Sequence, residues 1–335
     1  MRIGLVGAGR IGAFHAETLA DLPEVAEVVV ADAAPGRAQA LASTAGLSYA
    51  ESAEDLLGRG LDGFVVTSST ASHAALVRAA VDAGVPTFCE KPTASTLEEN
   101  IALAREVEAS GVPVHIGFQR RFDAGYQAAR DSVQSGELGF VHTIRANTHD
   151  QAPPPPEYIA TSGGLFRDCS VHDFDIIRFV TGREVVSVVG RGANKGADFF
   201  TESGDVDTAA ALLTLDDDTL VLVSATRYNG AGHDVRLEVL GSRGAIAVGL
   251  DQSLALTSAE PAADFPHGPR HWSFMDRFRP AYQAELAAFC RMARGDVPSP
   301  CTVGDALEAF RVAEACELSR TSQRPVALDD IESMT

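Results

Sequence analysis

The N-terminus combines a short apolar segment with a glycine-rich turn, and this combination restricts the fold more than any other part of the chain. The apolar segment, residues 3–6, has the character of a buried parallel strand. It leads into Gly7-Ala8-Gly9-Arg10-Ile11-Gly12, a G-x-G-x-x-G sequence, and a helical pattern follows to about Leu22. A strand, a glycine-rich turn and a helix in this order are typical of the first unit of a dinucleotide-binding fold.

Each glycine of this motif has a separate physical task. Gly7 permits a tight turn, Gly9 permits close approach of the backbone to a pyrophosphate, and Gly12 permits close packing of the helix on the strand. Arg10 and Ile11 lie between them at the predicted helix N-terminus, where backbone amides attract phosphate. We therefore predict that these five residues hold the diphosphate of a nucleotide cofactor.

The next predicted strand, residues 25–31, is followed by Asp32, twenty positions past Gly12. An acid at this place accepts hydrogen bonds from the adenine ribose hydroxyls and repels a 2′-phosphate, so the sequence favours NAD over NADP as cofactor. Arg37 keeps NADP open as the alternative, because an arginine near the ribose accommodates a 2′-phosphate. Arg37 stays in the candidate cofactor set, although we prefer to interpret it as a solvated helix residue.

Strand and helix patterns continue to alternate up to residue 116. The alternation predicts a doubly wound parallel sheet, in which ligands bind beyond the carboxyl ends of the strands. Two polar segments, residues 68–73 and 90–92, fall at such ends. We therefore predict an α/β Rossmann domain at residues 1–118 whose cofactor site also includes Ser68, Thr70, His73, Glu90 and Lys91. The alternative for His73 is that it caps the following helix.

Lys91 is the candidate for chemistry in this half of the chain. The proline after it favours an extended backbone at Lys91, which fixes its direction at the strand end. A lysine in a cofactor cleft can donate a hydrogen bond to a reacting oxygen and stabilise developing negative charge. The alternative is an exposed lysine in a polar turn. The position of Lys91 in the sequence does not decide between these two interpretations.

After residue 118 the pattern changes to runs of strands joined by short turns. We predict helices at residues 119–135, 281–294 and 303–319, and strands at 140–147, 185–192, 207–215, 219–227, 234–240, 244–248 and 253–257. These patterns predict an α+β domain at residues 119–335 with a large, mostly antiparallel, open-faced sheet. The uncovered face of the sheet is available for subunit contact, and the C-terminal segment is able to pack back on the first domain.

The segment at residues 163–175 carries the second set of chemically active residues. Asp168, His172 and Asp175 are spaced by four and three positions, so a helix places all three on one face. The glycine pair at 163–164 lets such a helix begin there. A carboxylate one turn before a histidine holds the imidazole and raises its basicity, which suits a proton acceptor. The alternative is a helix with one surface ion pair.

Composition limits the partners of the chain. The formal net charge of −19, from 27 Lys+Arg and 46 Asp+Glu, argues against nucleic acid and anionic membranes. The sequence has no signal-peptide pattern and no apolar run of the ~18 residues that a membrane span needs. The five cysteines are odd in number and lack CxxC spacing, which favours reduced thiols. We predict a cytoplasmic protein without a bound metal.

Taken together, these motifs resemble the Gfo/Idh/MocA oxidoreductase family, and within it most of all the inositol 2-dehydrogenases. The resemblance covers essentially the whole chain, and its most specific parts are the glycine motif with His15, the Glu90-Lys91-Pro92 sequence, residues 119–123 and residues 163–175. It implies an NAD-dependent dehydrogenase that oxidises a secondary ring hydroxyl of a cyclic polyol, myo-inositol or a related inositol or sugar, to a ketone. It also implies a homotetramer or homodimer assembled through the open sheet.

The resemblance further implies a catalytic set of Lys91, Asp168 and His172. In the implied mechanism His172 takes the hydroxyl proton as hydride leaves for the nicotinamide, and Asp168 orients the imidazole. Lys91 donates to the same oxygen, and which of Lys91 and His172 is the formal base stays open. The loop that contains Asn147, His149 and Asp150 is implied to line the pocket. The implied substrate-binding residues are Lys91, Asp168 and His172 together with Arg121, Asn147, His149, Tyr228 and Tyr282.

Three alternatives remain beside this function. The first is a sugar or other carbonyl reductase or dehydrogenase of the same family, because the family is diverse in substrate. The second is a glycosidase-type enzyme that keeps NAD tightly bound and uses transient oxidation to drive elimination. The third is a catalytically idle NAD-binding regulator, which the presence of Lys91, Asp168 and His172 disfavours. One departure from the family concerns residues 67–70, Thr-Ser-Ser-Thr in place of the frequent Thr-Pro, so nicotinamide contacts there stay open.

Overall fold

The structure is a computed structural model that describes residues 1–263 and 265–332. The chain forms two compact units. The first unit contains residues 1–119 and 280–307, and the second contains residues 120–279 and the chain from residue 308 onward. Among the described residues, no helix combines the length and the apolar character that crossing a bilayer requires.

The first unit is built on a six-stranded sheet in which all neighbouring strands are parallel. Its strands are β1 (Arg2–Val6), β2 (Glu27–Ala31), β3 (Ser48–Tyr49), β4 (Gly63–Val66), β5 (Thr87–Glu90) and β6 (Val114–Gly117). The order β3-β2-β1-β4-β5-β6 reverses direction between β1 and β4, which is the switch point where ligands bind in such sheets. The predicted doubly wound parallel sheet is confirmed.

Five helices alternate with these strands, and local sequence sets their ends. They are α1 (Arg10–Ala20), α2 (Arg37–Ala45), α3 (Ala53–Leu57), α4 (Thr70–Asp82) and α5 (Leu97–Ser110). Helix α5 begins after Thr96, whose side chain accepts a hydrogen bond from the Glu99 amide, and ends at Gly111, which adopts a φ of 70°. The predicted alternation of strands and helices agrees with these elements.

Residues 280–307 complete the core of the first unit. Leu286 and Phe289 belong to the same buried cluster as the apolar residues of β1 and β2. Ser299 donates from its hydroxyl to the Val114 carbonyl at 2.7 Å, which fastens this segment to β6. Burial of a large apolar side chain contributes roughly 1.5–3 kcal/mol, so the apolar face of this segment accounts for its place in the first unit.

The second unit contains most of the remaining elements, which follow a 3₁₀ turn at Gln119–Phe122. In chain order they are α6 (Ala124–Gln134), β7 (Val141–His149), α7 (Pro156–Ile159), a π-helical turn (Phe166–Ser170), α8 (Val171–Thr181), β8 (Val185–Ala193), α9 (Phe199–Glu202), β9 (Thr208–Leu215), β10 (Leu220–Thr226), β11 (Asp234–Gly241), β12 (Ala245–Val248), α10 (Phe274–Ala293), α11 (Val303–Ser322), β13 (Val326–Ala327) and α12 (Leu328–Glu332). Helices α10 and α11 each run across a boundary between the two units.

The second sheet has the order β12-β11-β7-β10-β9-β8-β13. Its neighbouring strands are antiparallel except for β7 and β10, which are parallel because two strands and several helices separate them along the chain. The predicted, mostly antiparallel sheet is confirmed. One face is covered by helices: Thr148 of β7 contacts Asp173 of α8, and Gly190 of β8 lies so near α11 that a Cβ would meet the Cys316 carbonyl.

Three predicted elements differ from the observed ones. The helix predicted from Gln119 begins at Ala124, because the Asp123 carboxylate accepts the amides of the first turn and caps the helix there. Residues 253–257 form a loop rather than a strand, since Asp251 accepts from the Ser253 amide and turns the chain. The helix predicted from residue 281 already begins at Phe274 and contains Pro280.

The segment before α8 contains a short helix, two glycines and a π-helical turn. The prolines at 153–156 end in a short helix, with Pro156 in its first turn, where a missing amide hydrogen costs nothing. Gly163 and Gly164 both have positive φ, 82° and 98°, and the predicted helix begins just after them. Its first turn, residues 166–170, is a π-helix, a geometry that occurs frequently at functional sites.

Candidate active site

The glycine motif forms the turn between β1 and α1. Gly7 has a φ of 104°, and a Cβ on it would lie 2.4 Å from the Ser68 amide nitrogen. A Cβ on Gly12 would lie 1.7 Å from the Gly7 carbonyl oxygen, whereas Gly9 has no heavy atom within 4 Å of such a position. The fold itself therefore requires Gly7 and Gly12. Gly9 keeps space open at the N-terminus of α1, which fits a dinucleotide diphosphate.

Asp32 follows β2 and is held by the backbone around it. Its Oδ2 accepts from the Ala8 amide and its Oδ1 from the Ala34 amide, both at 2.7 Å. Each carboxylate oxygen keeps further acceptor capacity, so the group remains able to accept a ribose hydroxyl. Arg37 Nη1 lies 3.8 Å from Asp32 Oδ1, and its side chain is exposed. Both alternatives for Arg37, contact with a 2′-phosphate and a solvated helix position, therefore stay predictions.

The polar segment after β4 lies at the start of α4. Ser69 is the N-cap residue, so His73 sits in the first turn and does not cap the helix, which corrects that alternative. The ring of His73 is buried, with Nδ1 2.7 Å from the Pro92 carbonyl oxygen and Nε2 3.0 Å from the Ser68 carbonyl oxygen. Its contact with the cofactor, like those of Ser68 and Thr70, stays a prediction.

Lys91 directly follows β5 and is half-buried, and its peptide bond to Pro92 is cis. The preceding Glu90 is the last residue of the strand. Its Oε2 accepts from the Lys91 amide at 3.2 Å, and its Oε1 lies 2.6 Å from Nε2 of His15. The strand end therefore holds the lysine backbone through the side chain of its neighbour.

In the second unit, Asp168 is part of a cluster that sequence spacing does not reveal. Arg227 Nη2 donates to Asp168 Oδ2 at 2.5 Å, and the Tyr158 hydroxyl donates to Asp168 Oδ1 at 2.9 Å. Burial, together with the negative charge of Asp168, raises the pKa of Tyr158 well above its ordinary value. Burial opposes ionisation of Arg227, but the surrounding acids still raise its pKa. Both donors therefore remain protonated beside Asp168.

Asp150 shares the same arginine. Arg227 Nη1 donates to Asp150 Oδ2 at 3.0 Å, and Nδ1 of His233 lies 3.3 Å from Asp150 Oδ1. Burial would raise the pKa of Asp150, but the hydrogen bond from His233 and the charge of Arg227 outweigh it, so this pKa lies below its ordinary value. One buried guanidinium thus fixes two carboxylates. The signal for Arg227 was weak in the sequence: an arginine as the last residue of a predicted strand.

His172 is the second residue of α8 and is half-buried. Two buried ion pairs hold the turn around it. Arg120 Nη1 donates to Asp173 Oδ1 at 2.6 Å, and Arg121 Nη2 donates to Asp175 Oδ1 at 2.6 Å.

The pair with Arg121 separates the Asp175 carboxylate from the Asp168 cluster. The sequence, in contrast, predicts that Asp168 and Asp175 share one helix face. Burial raises the pKa of Asp173, against the opposing charge of Arg120. The contact of Asp168 with His172 and the contact of Arg121 with a substrate stay predictions.

Asn147 and His149 lie in β7 rather than in a loop. Their side chains project from the sheet face opposite to that of Thr148, since successive strand residues alternate. Asn147 donates from Nδ2 to the Asp234 carbonyl oxygen at 3.2 Å, and His149 Nε2 lies 3.0 Å from the Ser224 hydroxyl. The structure therefore groups these two residues with the open sheet face, and their substrate contacts stay predictions.

The two tyrosines in the predicted substrate set have different surroundings. Tyr228 is exposed, and its hydroxyl accepts from the Ala197 amide at 3.1 Å. Tyr282 is buried in the first unit, with its ring 5.3 Å from that of Phe14 and 5.5 Å from that of His15. Their roles toward a substrate stay predictions.

Burial limits the reactivity of the cysteine thiols. The five cysteines are buried and none forms a disulfide, and burial raises the pKa of Cys89 well above its ordinary value. A thiol of this kind is a poor nucleophile. Across residues 1–263 and 265–332 no group of three or more His, Cys, Asp or Glu side chains has the arrangement needed to hold a metal ion.

Two family models match the chain. One, described as an oxidoreductase family with an NAD-binding Rossmann fold, matches residues 1–118, and the other, the GFO/IDH/MocA C-terminal domain, matches residues 126–247. Myo-inositol dehydrogenase Hyg17 of Streptomyces leeuwenhoekii is 43% identical over 325 residues, which cover 96% of this chain and 98% of that protein. The scyllo-inositol 2-dehydrogenase (NAD(+)) of Bacillus subtilis is 35% identical, with 98% of this chain and 96% of that protein covered.

A solved structure has the same fold over its full length. It is the scyllo-inositol dehydrogenase from Lactobacillus casei with bound NAD(H) and scyllo-inositol. The TM-score is 0.89 at 26% identity, and the match covers 98% of this chain and 99% of that chain.

Proposed function

The chain belongs to the GFO/IDH/MocA oxidoreductase family, and from this premise we propose that it is an NAD-dependent dehydrogenase of cyclic polyols. It oxidises a secondary ring hydroxyl of myo-inositol, or of a related inositol or sugar, to a ketone. The observation that carries the proposal is the similarity, over nearly the whole length of both chains, to proteins named as inositol dehydrogenases. The formal charge of −19 is compatible with a neutral polyol as substrate.

The cofactor is NAD, held by the glycine turn and Asp32. The open space at Gly9 receives the diphosphate at the N-terminus of α1. Asp32, fixed by two backbone amides, accepts the ribose hydroxyls and disfavours a 2′-phosphate. When bound, NAD accepts the hydride that leaves the alcohol carbon.

Three residues of this chain act on the hydroxyl group. His172 takes the proton from the hydroxyl oxygen, and Lys91 donates a hydrogen bond to that oxygen as negative charge develops. Asp168 orients the histidine, and Arg227 and Tyr158 in turn fix the carboxylate of Asp168. Lys91 is the alternative to His172 as the formal base. Arg121, Asn147, His149, Tyr228 and Tyr282 complete the proposed substrate-binding set.

The open face of the second sheet carries the contact between subunits. Leu212 of β9 and Leu222 of β10 are directly opposite each other and are 41% and 47% exposed. Leu220 continues the same face and is also exposed. Adjacent exposed leucines on an open sheet face are typical of a surface covered by a second copy of the same chain. This supports a homodimer or homotetramer. The five cysteines form no disulfide, which supports the reducing cytoplasm as the proposed location.

The test is NADH formation across a panel of inositols, sugars and sugar acids, with NAD and NADP in parallel. We expect an inositol or a closely related ring polyol to give the highest kcat/KM, with NAD preferred. Turnover only of carbonyl compounds with NADH would instead favour a reductase. Turnover without net NADH and without a need for added NAD would favour an enzyme with tightly bound cofactor.

A further inference from the structure

His15 and Glu90 form a buried pair next to the proposed catalytic lysine. His15 lies in α1, which begins at the cofactor turn, and Glu90 is the last residue of β5. Nε2 of His15 lies 2.6 Å from Oε1 of Glu90, although 75 positions separate the two residues. The other carboxylate oxygen, Oε2, accepts from the backbone amide of Lys91 at 3.2 Å. A chain of two hydrogen bonds therefore leads from α1 to the lysine backbone.

The imidazole of His15 is surrounded by aromatic rings, and its hydrogen bond goes to Glu90. The imidazole is fully buried among aromatic rings, with centroids 5.6 Å from Phe88, 5.5 Å from Tyr282 and 5.9 Å from Phe14. Its Nδ1 has no hydrogen-bond partner within the described chain. A buried histidine whose single hydrogen bond goes to one carboxylate acts on that carboxylate. In so apolar an environment this bond is strong, and its loss leaves Glu90 poorly compensated.

The segment after the lysine is also tied down. His73 Nδ1 lies 2.7 Å from the carbonyl oxygen of Pro92, and its Nε2 lies 3.0 Å from that of Ser68. A carbonyl oxygen only accepts hydrogen bonds and a neutral imidazole has one N–H, so the tautomer of His73 sets which of the two oxygens receives its hydrogen bond. A histidine thus lies on both sides of Lys91: His15 bonds to Glu90 before it, and His73 contacts the Pro92 carbonyl after it.

We infer that His15 is a positioning residue for Lys91, acting through Glu90, and that it couples the cofactor-binding helix α1 to the placement of the lysine. This inference rests on the proposed function, in which Lys91 contacts the reacting oxygen. Because a displacement of about 1 Å at a reacting group costs roughly 100-fold in rate, a small movement of the Lys91 backbone is enough to slow the chemical step. Binding of NAD through the glycine turn is little affected.

The test compares His15→Leu with His15→Gln. Leucine fills a similar volume without a donor, whereas the Nε2 group of glutamine donates from nearly the same place as Nε2 of histidine. For His15→Leu we expect kcat to fall about 10- to 100-fold. The KM for NAD should stay within about 3-fold, and the deuterium isotope effect on kcat with C–H-deuterated substrate should rise. His15→Gln should recover most of kcat, which a purely structural role would not require.

A second measurement does not depend on activity. Hydrogen exchange followed by mass spectrometry reports the Lys91 amide, which donates to Glu90. We expect faster exchange in the peptide that spans residues 90–93 in His15→Leu, and near wild-type exchange in His15→Gln. If the polyol dehydrogenase proposal fails on the substrate panel, this exchange result still decides whether His15 holds Lys91.

The matched control is His115, another buried histidine near a glutamate in the same unit. Its Nε2 lies 3.9 Å from Oε1 of Glu285, and its ring centroid lies 5.2 Å from that of Phe88. His115→Leu should lower the melting temperature but leave kcat within about 2-fold and exchange at residues 90–93 unchanged. The inference is overturned if His15→Leu keeps wild-type kcat and exchange. It is equally overturned if His15→Gln is no better than leucine, or if His115→Leu reproduces both effects.

Discussion

Arg227 Nη2 lies 2.5 Å from Asp168 Oδ2, although the two residues are 59 positions apart in the chain. The same guanidinium reaches Asp150, so one buried cation holds two carboxylates, one directly after β7 and one in the π-helical turn. Asp168 is the acid proposed to orient His172. The stability of the second unit and the chemistry proposed for it therefore depend on the same side chain.

The first prediction concerns this arginine. Arg227→Met should lower the free energy of unfolding by about 3 kcal/mol, because removing one partner leaves buried carboxylates uncompensated. It should lower kcat more than about tenfold by releasing Asp168. Arg227→Lys keeps the charge but lacks the planar fork, so we expect an intermediate result. Urea unfolding and NADH kinetics measure both effects.

The control for this prediction is Arg183→Met. It removes an exposed ion pair with Asp217 on the same unit and should leave stability and kcat near wild type. An Arg227→Met enzyme as stable and as active as wild type would contradict the assigned role.

The second prediction concerns the proposed catalytic set. Lys91→Ala and His172→Ala should each lower kcat by at least about 100-fold, because charge stabilisation and proton transfer contribute on this scale. NAD should still bind within a few-fold of the wild-type affinity, since the glycine turn and Asp32 are unchanged. Steady-state kinetics and calorimetric titration with NAD test this. Substantial activity in both variants would rule out the site.

The third prediction separates the two roles of glycine in the cofactor turn. Gly12→Ala should destabilise the fold by about 1–3 kcal/mol, because its Cβ would collide with the Gly7 carbonyl oxygen. Gly9→Ala has open space in the ligand-free chain, so its melting temperature should stay near wild type while NAD binding weakens. Thermal melting with and without NAD distinguishes the two. Equal loss of stability in both variants would refute the assignment.

The fourth prediction concerns pH. Burial lowers the pKa of His149 below its ordinary value, against the opposing charges of Asp234 and Asp173. As the pH falls, the unfolded chain therefore protonates this histidine before the folded chain does. The contribution of His149 to the free energy of unfolding is complete above pH ~6.5 and is lost as the pH falls below that value. His149→Gln does not titrate, so the wild-type protein should lose more unfolding free energy than the variant between about pH 7.5 and 5. Denaturant unfolding across this range tests the difference, and parallel curves would contradict it.

The fifth prediction concerns the open sheet face. Leu222→Glu places a charge opposite Leu212 at the proposed subunit contact and should shift the protein towards the monomer. Leu256→Glu changes an equally exposed leucine outside the sheet and should leave the assembly unchanged. Light scattering coupled to size-exclusion chromatography reports the mass. A wild-type protein that is already monomeric would exclude this face as an interface.

Most of the first sheet and the main elements of the second were predictable because their signals are local. A buried strand, a glycine turn and a helix occupy consecutive residues, and the glycines at 163–164 mark the start of a helix in the same way. The misplaced boundaries had local causes as well, such as the Asp123 cap, but competing signals of similar strength surround them.

The sequence by itself determined the doubly wound parallel sheet, the glycine turn with Asp32, and the strand end that carries Lys91, because each depends on residues near one another in the chain. Only the tertiary structure decided that Arg227 holds Asp168, that Arg121 pairs with Asp175, and that His15 reaches Glu90. The partners in these contacts lie more than fifty positions apart. A buried charge or polar group is costly unless a partner compensates it, so these pairs form where the folded chain buries such groups together. Neither periodicity nor spacing along the chain reveals which groups will meet.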